Sequence, residues 1–123
     1  MDIALIGYGK MGRTIEALGI TRGHRFPVIF DPVSSGPVDP ETLKGADLAV
    51  EFTTPGSAPG NIMMCIEAGI PVVSGTTGWN ERFGEVSEYC RDSGGALFYA
   101  SNFSIGVNIL YALNRTLAGI MER

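Results

Sequence analysis

Five short apolar runs punctuate the chain, at residues 3–6, 26–30, 47–52, 71–74 and 96–99. Their brevity and their content of Val, Ile, Leu and Phe predict strands, as in a sheet covered on both faces. Between the runs, apolar residues recur every three or four positions. Met11, Ile15, Leu18 and Gly19 form one such stripe over residues 11–22, ending near Gly23. Ile62, Met63, Ile66 and Ala68 form the expected buried face of a helix that Ser57 caps, with Pro59 in its first turn and Gly69 at its stop. Phe83, Val86 and Cys90 mark another helix, with Asn80 as its cap, and Ile109, Leu113, Leu117 and Met121 mark the inward face of a last one. Pro27 fits only near the start of its strand, because it cannot donate to a ladder. Residues 34–44 read as a Pro/Gly/Ser-rich connection with a short helical turn at 39–43.

Strands alternating with helices over the whole length predict an α/β fold. Right-handed crossovers then give a Rossmann-like, doubly wound parallel sheet. Ligands in such sheets lie outside the carboxyl ends of the strands, so the strand exits are the candidate site: residues 7–12, 31, 52–56, 75–79 and 100–103. The first exit reads Gly7-Tyr8-Gly9-Lys10-Met11-Gly12, a G-x-G-x-x-G set between strand and helix. Its first glycine permits the tight turn, its second lets backbone approach a pyrophosphate, and its third lets helix and strand pack closely. Tyr8 fills a variable position and says little, whereas Lys10 and Arg13 put charge beside the expected phosphates or lie on an ordinary solvated helix start. Asp31 ends the second strand about 20 residues beyond the glycines, the expected place for an acceptor of adenosine ribose hydroxyls. An Asp before Pro also opens turns, which is its other reading. No basic residue occurs among Pro32, Val33, Ser34 and Ser35, which favours NADH over NADPH, although Arg25, Lys10 or Arg13 could supply charge to a 2′-phosphate.

Composition narrows the classes. At 123 residues the chain reads as a single dinucleotide-binding domain, residues 1–123, shorter than an enzyme that carries both a cofactor half and a substrate half. A net charge of -4, with nine scattered Lys and Arg, argues against a nucleic-acid face. Cys65 and Cys90 have no metal or CxxC spacing and read as free thiols in a reducing compartment, Cys65 within the core. No leader opens the chain, and Asn108, Asn114 and Arg115 interrupt the apolar stretch 103–121, so the expectation is a cytoplasmic protein without a membrane span. His24 reads as a surface residue, and Trp79 either walls a cofactor cleft or packs under the following helix. No metal set and no catalytic residue is assigned.

Lys10-Met11-Gly12, Glu51-Phe52-Thr53, Gly75-Thr76-Thr77-Gly78 and the run Ser101-Asn102-Phe103-Ser104-Ile105-Gly106-Val107-Asn108 carry a more specific signal. In this order they resemble the N-terminal half of the bacterial dihydrodipicolinate reductases, over essentially all 123 residues. The resemblance implies NAD(P)H-dependent reduction of a small cyclic substrate in the diaminopimelate route to lysine. It places Gly7, Tyr8, Gly9, Lys10, Met11 and Gly12 at the pyrophosphate and Asp31 at the ribose. It puts Gly75, Thr76 and Thr77 on the nicotinamide side and Ala100, Ser101, Asn102 and Phe103 at the pocket's closure, with Phe52 and Thr53 also among the cofactor-binding residues. The family's paired His, Lys and Ser-Gly-Thr are not among these residues, so the chain is expected to bind cofactor with little turnover alone. Residues 104–123 would then lead into a substrate domain. The family is similar to a homotetramer built through that second domain, and this chain alone would be monomeric. Two other classes remain: a different NAD-dependent oxidoreductase domain, or a non-catalytic nucleotide-binding module.

Overall fold

A computed structural model describes residues 1–31 and 39–122. Strands β1 (Asp2–Ile6), β2 (Arg25–Phe30), β3 (Leu48–Glu51), β4 (Val72–Ser74) and β5 (Leu97–Tyr99) form one sheet in the order β2-β1-β3-β4-β5. Every pairing is parallel. The helices are α1 (Lys10–Thr21), α2 (Pro40–Leu43), α3 (Ala58–Glu67), α4 (Phe83–Asp92) and α5 (Ile105–Met121). All five expected strands are present, each within two residues of its expected bounds.

Alternation along β1 divides the core. Ala4 and Ile6 face a cluster with Leu43, Ile62, Cys65, Ile66 and Val86 from α2, α3 and α4, while Ile3 and Leu5 face Ile15, Phe26 and Phe52 on the α1 side. The chain leaves β1, forms β2 at one edge, then returns to the other flank of β1 as β3, so strand order reverses between β1 and β3. A crevice opens at such a reversal.

Several helix faces differ from the periodicity. In α1 the buried residues are Gly12 and Gly19, with Ile15 half-buried between them, while Met11 and Leu18 are exposed. The helix lies so close to the sheet that its contact stripe runs through glycines, which rotates Met11 and Leu18 away. In α3 Met63 is only half-buried, as is Ala68 at its C-cap, and Ala58, Pro59 and Cys65 complete the face. Ser57 occupies the α3 N-cap, but its hydroxyl meets the Thr54 hydroxyl at 3.0 Å instead of capping backbone. Asn80 does not cap α4: residues Asn80–Arg82 form a 3-10 turn, and the α-helix begins at Phe83. No residue of α5 is buried, so Ile109, Leu113, Leu117 and Met121 point to solvent, not inward. His24 is half-buried, with Nδ1 enclosed, and is not a plain surface residue. Both cysteines are free thiols, and burial, with the Glu51 charge second, pushes Cys65 up to about 12. No helix among the described residues is long and apolar enough to cross a membrane.

Candidate cofactor groove

The exits of β1, β2, β3 and β4 border two contiguous clefts. One, of about 390 Å³, is lined by Gly7, Tyr8, Gly9, Arg13, Asp31, Phe52, Thr53 and Thr54. The other, of about 410 Å³, is lined by Gly9, Lys10, Met11, Phe52, Thr53, Pro55, Gly75, Thr76 and Thr77. Gly9, Phe52 and Thr53 belong to both, so the two join into one groove along the carboxyl edge of the sheet.

The three glycines of the fingerprint differ in their surroundings. Gly7 turns the chain at φ +101°, and a Cβ there would overlap the carbonyl of Phe52. A Cβ on Gly12 would overlap the carbonyl oxygen of Gly7, which is the close approach of α1 to the strand exit. Gly9 has nothing within 4 Å of where its Cβ would stand. The middle glycine therefore faces the groove, and the outer two are closed by the protein's own backbone.

Gly9 is also the N-cap of α1, and no side chain caps that helix. α3 and α4 likewise lack a side-chain cap, whereas Asp39 accepts from the Glu41 N–H at 2.9 Å to cap α2, and the Ser104 hydroxyl accepts from the Val107 N–H to cap α5. The first turn of α1 carries no acid, and Lys10 and Arg13 stand there. A helix start with uncapped N–H groups and nearby cations favours an anion.

Tyr8 donates its hydroxyl to Glu16 Oε2 at 2.5 Å, a bond that raises the phenol above its usual range. The Arg13 guanidinium lies 4.8 Å from the centre of the Tyr8 ring, and its Nε donates to the Tyr8 carbonyl at 3.3 Å. Tyr8 is thus a wall and a perch for Arg13, a role its variable position concealed. Arg25, by contrast, is at the far end of β2, where Nε donates to Asp2 at 2.6 Å. Residues 32–35, on which the NADH preference drew, lie outside the described residues.

At the other end, the Glu51 carboxylate is completely buried under the groove. It accepts from the Thr53 N–H at 2.9 Å, the Ser74 hydroxyl at 2.5 Å and the Thr76 hydroxyl at 2.9 Å, and also from the Thr53 hydroxyl. Sequence reading took Glu51 only as part of a strand-closing motif. An acid ending an apolar strand gives no signal of burial until its partners on the next strand are known.

Trp79 packs beneath α4, buried among Phe83 and Tyr99 with its indole N–H donating to the Thr76 carbonyl at 2.7 Å, so it supports the wall without lining it. Ala100, Ser101 and Asn102 do not line either cleft. Ala100 continues the β4 ladder by donating to the Ser74 carbonyl, and Asn102 Oδ1 accepts from the Ser104 N–H at 2.7 Å. Phe103 reaches the groove indirectly, with its ring centre 6.4 Å from that of Phe52.

Sheet order, groove and glycine turn define a Rossmann-type α/β domain. The same fold occurs in the solved structure of homoserine dehydrogenase from Thermoplasma acidophilum, with a TM-score of 0.58 and 20% identity, covering 80% of this chain and 42% of that one. The family described as "Dihydrodipicolinate reductase, N-terminus" matches residues 1–103, and the chain belongs to that family. A 4-hydroxy-tetrahydrodipicolinate reductase from Christiangramia forsetii is 42% identical, covering 99% of this chain and 50% of its own length. One from Chromobacterium violaceum is 30% identical, covering 98% and 53%. The chain spans about half the length of these curated relatives.

Proposed function

We propose that this chain is the NAD(P)H-binding half of a 4-hydroxy-tetrahydrodipicolinate reductase of lysine and diaminopimelate biosynthesis. The carrying observation is the division among the glycines: Gly7 and Gly12 are closed by backbone, while Gly9 opens onto a groove shared by Asp31 and Thr76. In this reading the pyrophosphate rests on the α1 start at Gly9, Lys10 and Met11. Asp31 accepts from the adenosine ribose hydroxyls. Phe52, Thr53, Gly75, Thr76 and Thr77 hold the nicotinamide end, and Ala100, Ser101, Asn102 and Phe103 buttress it from β5.

The reduced nicotinamide supplies a hydride when bound. The chain's own residues orient it and keep water from one face, and the groups that grip the substrate are expected in the other half of the relatives. Asp31 favours NADH, whereas Arg13, lining the same cleft, gives a 2′-phosphate a partner, so NADPH is accepted more weakly. The protein acts in the cytoplasm on a small-molecule substrate. The whole protein forms a homotetramer through the half not contained here, and this chain alone is a monomer.

Calorimetric titration of the 123-residue chain with NADH and NADPH tests the reading. Saturable binding with NADH the tighter is expected. Absence of binding by either would reject the groove as a cofactor site, and tighter NADPH would overturn the preference.

A further inference from the structure

We propose that Glu51 is a positioning residue for the nicotinamide end of the groove. On this view its buried carboxylate fastens the β3 and β4 exits into one wall without touching the cofactor. The inference rests on the nicotinamide reading of that end.

Glu51 lies at the seam between two strands, and its donors come from both sides. Thr53 supplies its N–H and hydroxyl from the β3 exit, while Ser74 and Thr76 supply hydroxyls from β4 and its exit. The Thr53 N–H also reaches the Thr76 hydroxyl oxygen at 2.7 Å, closing a triangle of Glu51, Thr53 and Thr76. Asn61 of α3 donates to the Thr53 hydroxyl at 3.2 Å, tying the helix to the same cluster. Glu51 forms no salt bridge among the described residues; those present join Asp2 to Arg25, Glu41 to Lys44 and Glu85 to Arg82.

A buried carboxylate without a counter-cation is tolerated only where hydrogen bonds replace its hydration. The burial is useful because of what the donors do on their other side. Thr53 and Thr76 both line the nicotinamide-side cleft, and Glu51 lines neither cleft. Their polar atoms are turned down into Glu51, which fixes their rotamers and the spacing of the two exits. Such support decides whether a site holds its geometry. An apolar residue could fill the Glu51 position but would leave four donor bonds without their acceptor. Glutamine could nearly replace it: its carbonyl can take the three bonds at Oε1, and its amide can donate to a reoriented Ser74 hydroxyl.

The test compares wild type, Glu51→Gln, Glu51→Leu and Ser74→Ala by titration with NADH and with ADP, which lacks the nicotinamide end. Glu51→Leu should weaken NADH 10- to 100-fold while leaving ADP within about 3-fold. Ser74→Ala should show a smaller loss of the same selectivity, and Glu51→Gln should bind both like wild type. Equal weakening of NADH and ADP, or undiminished NADH binding by Glu51→Leu, would overturn the proposal. Should Glu51→Leu fail to fold, Ser74→Ala decides by the same NADH-to-ADP ratio. If wild type binds neither nucleotide, the cofactor reading fails on its own, and the fastening is judged by the single tryptophan and by amide exchange. Trp79 reports on Thr76 through its indole bond. Its emission and the Thr53 amide exchange rate should change in Ser74→Ala and Glu51→Leu but not in Glu51→Gln, and no change in any variant would overturn the proposal.

Discussion

Replacing Gly9 by Ala puts the cofactor groove at risk without disturbing the fold. Gly9 has φ -77° and extended ψ, a conformation alanine adopts freely, and its added methyl meets nothing within 4 Å. Folding stability should therefore hold or rise by about 0.4–1 kcal/mol, because alanine narrows the unfolded ensemble. On the proposed reading the same methyl stands where the pyrophosphate would approach the α1 start. Losing charge-assisted bonds there costs about 1.5–3 kcal/mol, and crowding adds about 1 kcal/mol more. NADH affinity should fall roughly 50- to 1,000-fold. Gly12→Ala is the contrast, since its methyl would overlap the Gly7 carbonyl oxygen and can be housed only by moving α1. It should cost about 1–3 kcal/mol of stability as well as affinity, and Gly12→Val more. Urea unfolding and calorimetric titration of the two variants give the four numbers. A Gly9→Ala chain that is as stable as wild type and still binds NADH equally well would refute the assignment of the open glycine to phosphate.

Asp31→Ala should weaken NADH by about 1.5–3 kcal/mol, roughly 10- to 100-fold, and unchanged titration curves would remove Asp31 from the ribose site. Burial raises the Cys65 thiol from 9.0 to about 12, so its contribution to stability is intact below about pH 9 and lost as pH rises toward 12. Unfolding free energy should drop about 1.4 kcal/mol per pH unit in that window, reaching about 2 kcal/mol by about pH 10.5. Cys65→Ala should lack that slope, and parallel pH curves for the two chains would contradict it. A chain ending at Ser104 should keep its urea midpoint within the equivalent of about 1 kcal/mol, since α5 buries no residue. A loss above about 2 kcal/mol would mean that α5 packs where it is now exposed.

The strands and their exits were legible because they depend on local chemistry. A strand covered on both faces needs a short, continuous apolar run, and Leu5, Ile6, Val50 and Val72 supply it wherever the chain goes next. The glycine turn was legible for a similar reason: Gly7 takes a positive φ and Gly12 answers to the Gly7 carbonyl within the same turn, although the Phe52 carbonyl that closes Gly7 comes from the exit of β3. Helix faces were less so. In α1 the approach distance decides which side is buried, and glycines that leave no hydrophobic signal form the contact, so Met11 and Leu18 imitated a buried stripe. In α5 the stripe Ile109, Leu113 and Leu117 is sound as periodicity, yet periodicity names a face and not a partner. Glu51 was hidden for a third reason. Thr53 close by supplies two of its donors, but the other two come from Ser74 and Thr76, more than twenty residues downstream and adjacent only once β3 and β4 pair in register.

The electrostatics of the groove follow from placement, not from total charge. A chain of net charge -4 would repel a dinucleotide from afar, but charges beyond about 8 Å are largely screened at physiological salt. Near field governs what binds. Along the groove that field changes character: the Asp31 carboxylate stands at one end, and the uncapped α1 start with Lys10 and Arg13 lies toward the middle. Threonines and the Phe52 ring form the other end, with the Glu51 charge beneath them and spent on hydrogen bonds. A ribose diol wants the acceptor, a pyrophosphate wants the helix start, and a nicotinamide ring wants a flat and largely apolar wall. Reversing the ligand would set phosphates nearer to Asp31 and a ribose diol against apolar surface, losing charge-assisted bonds at both positions. On the proposed reading, the order of the strand exits along the sheet edge would select one direction for the ligand. On the same reading, Glu51's confinement below the surface would keep a second carboxylate from cancelling that direction.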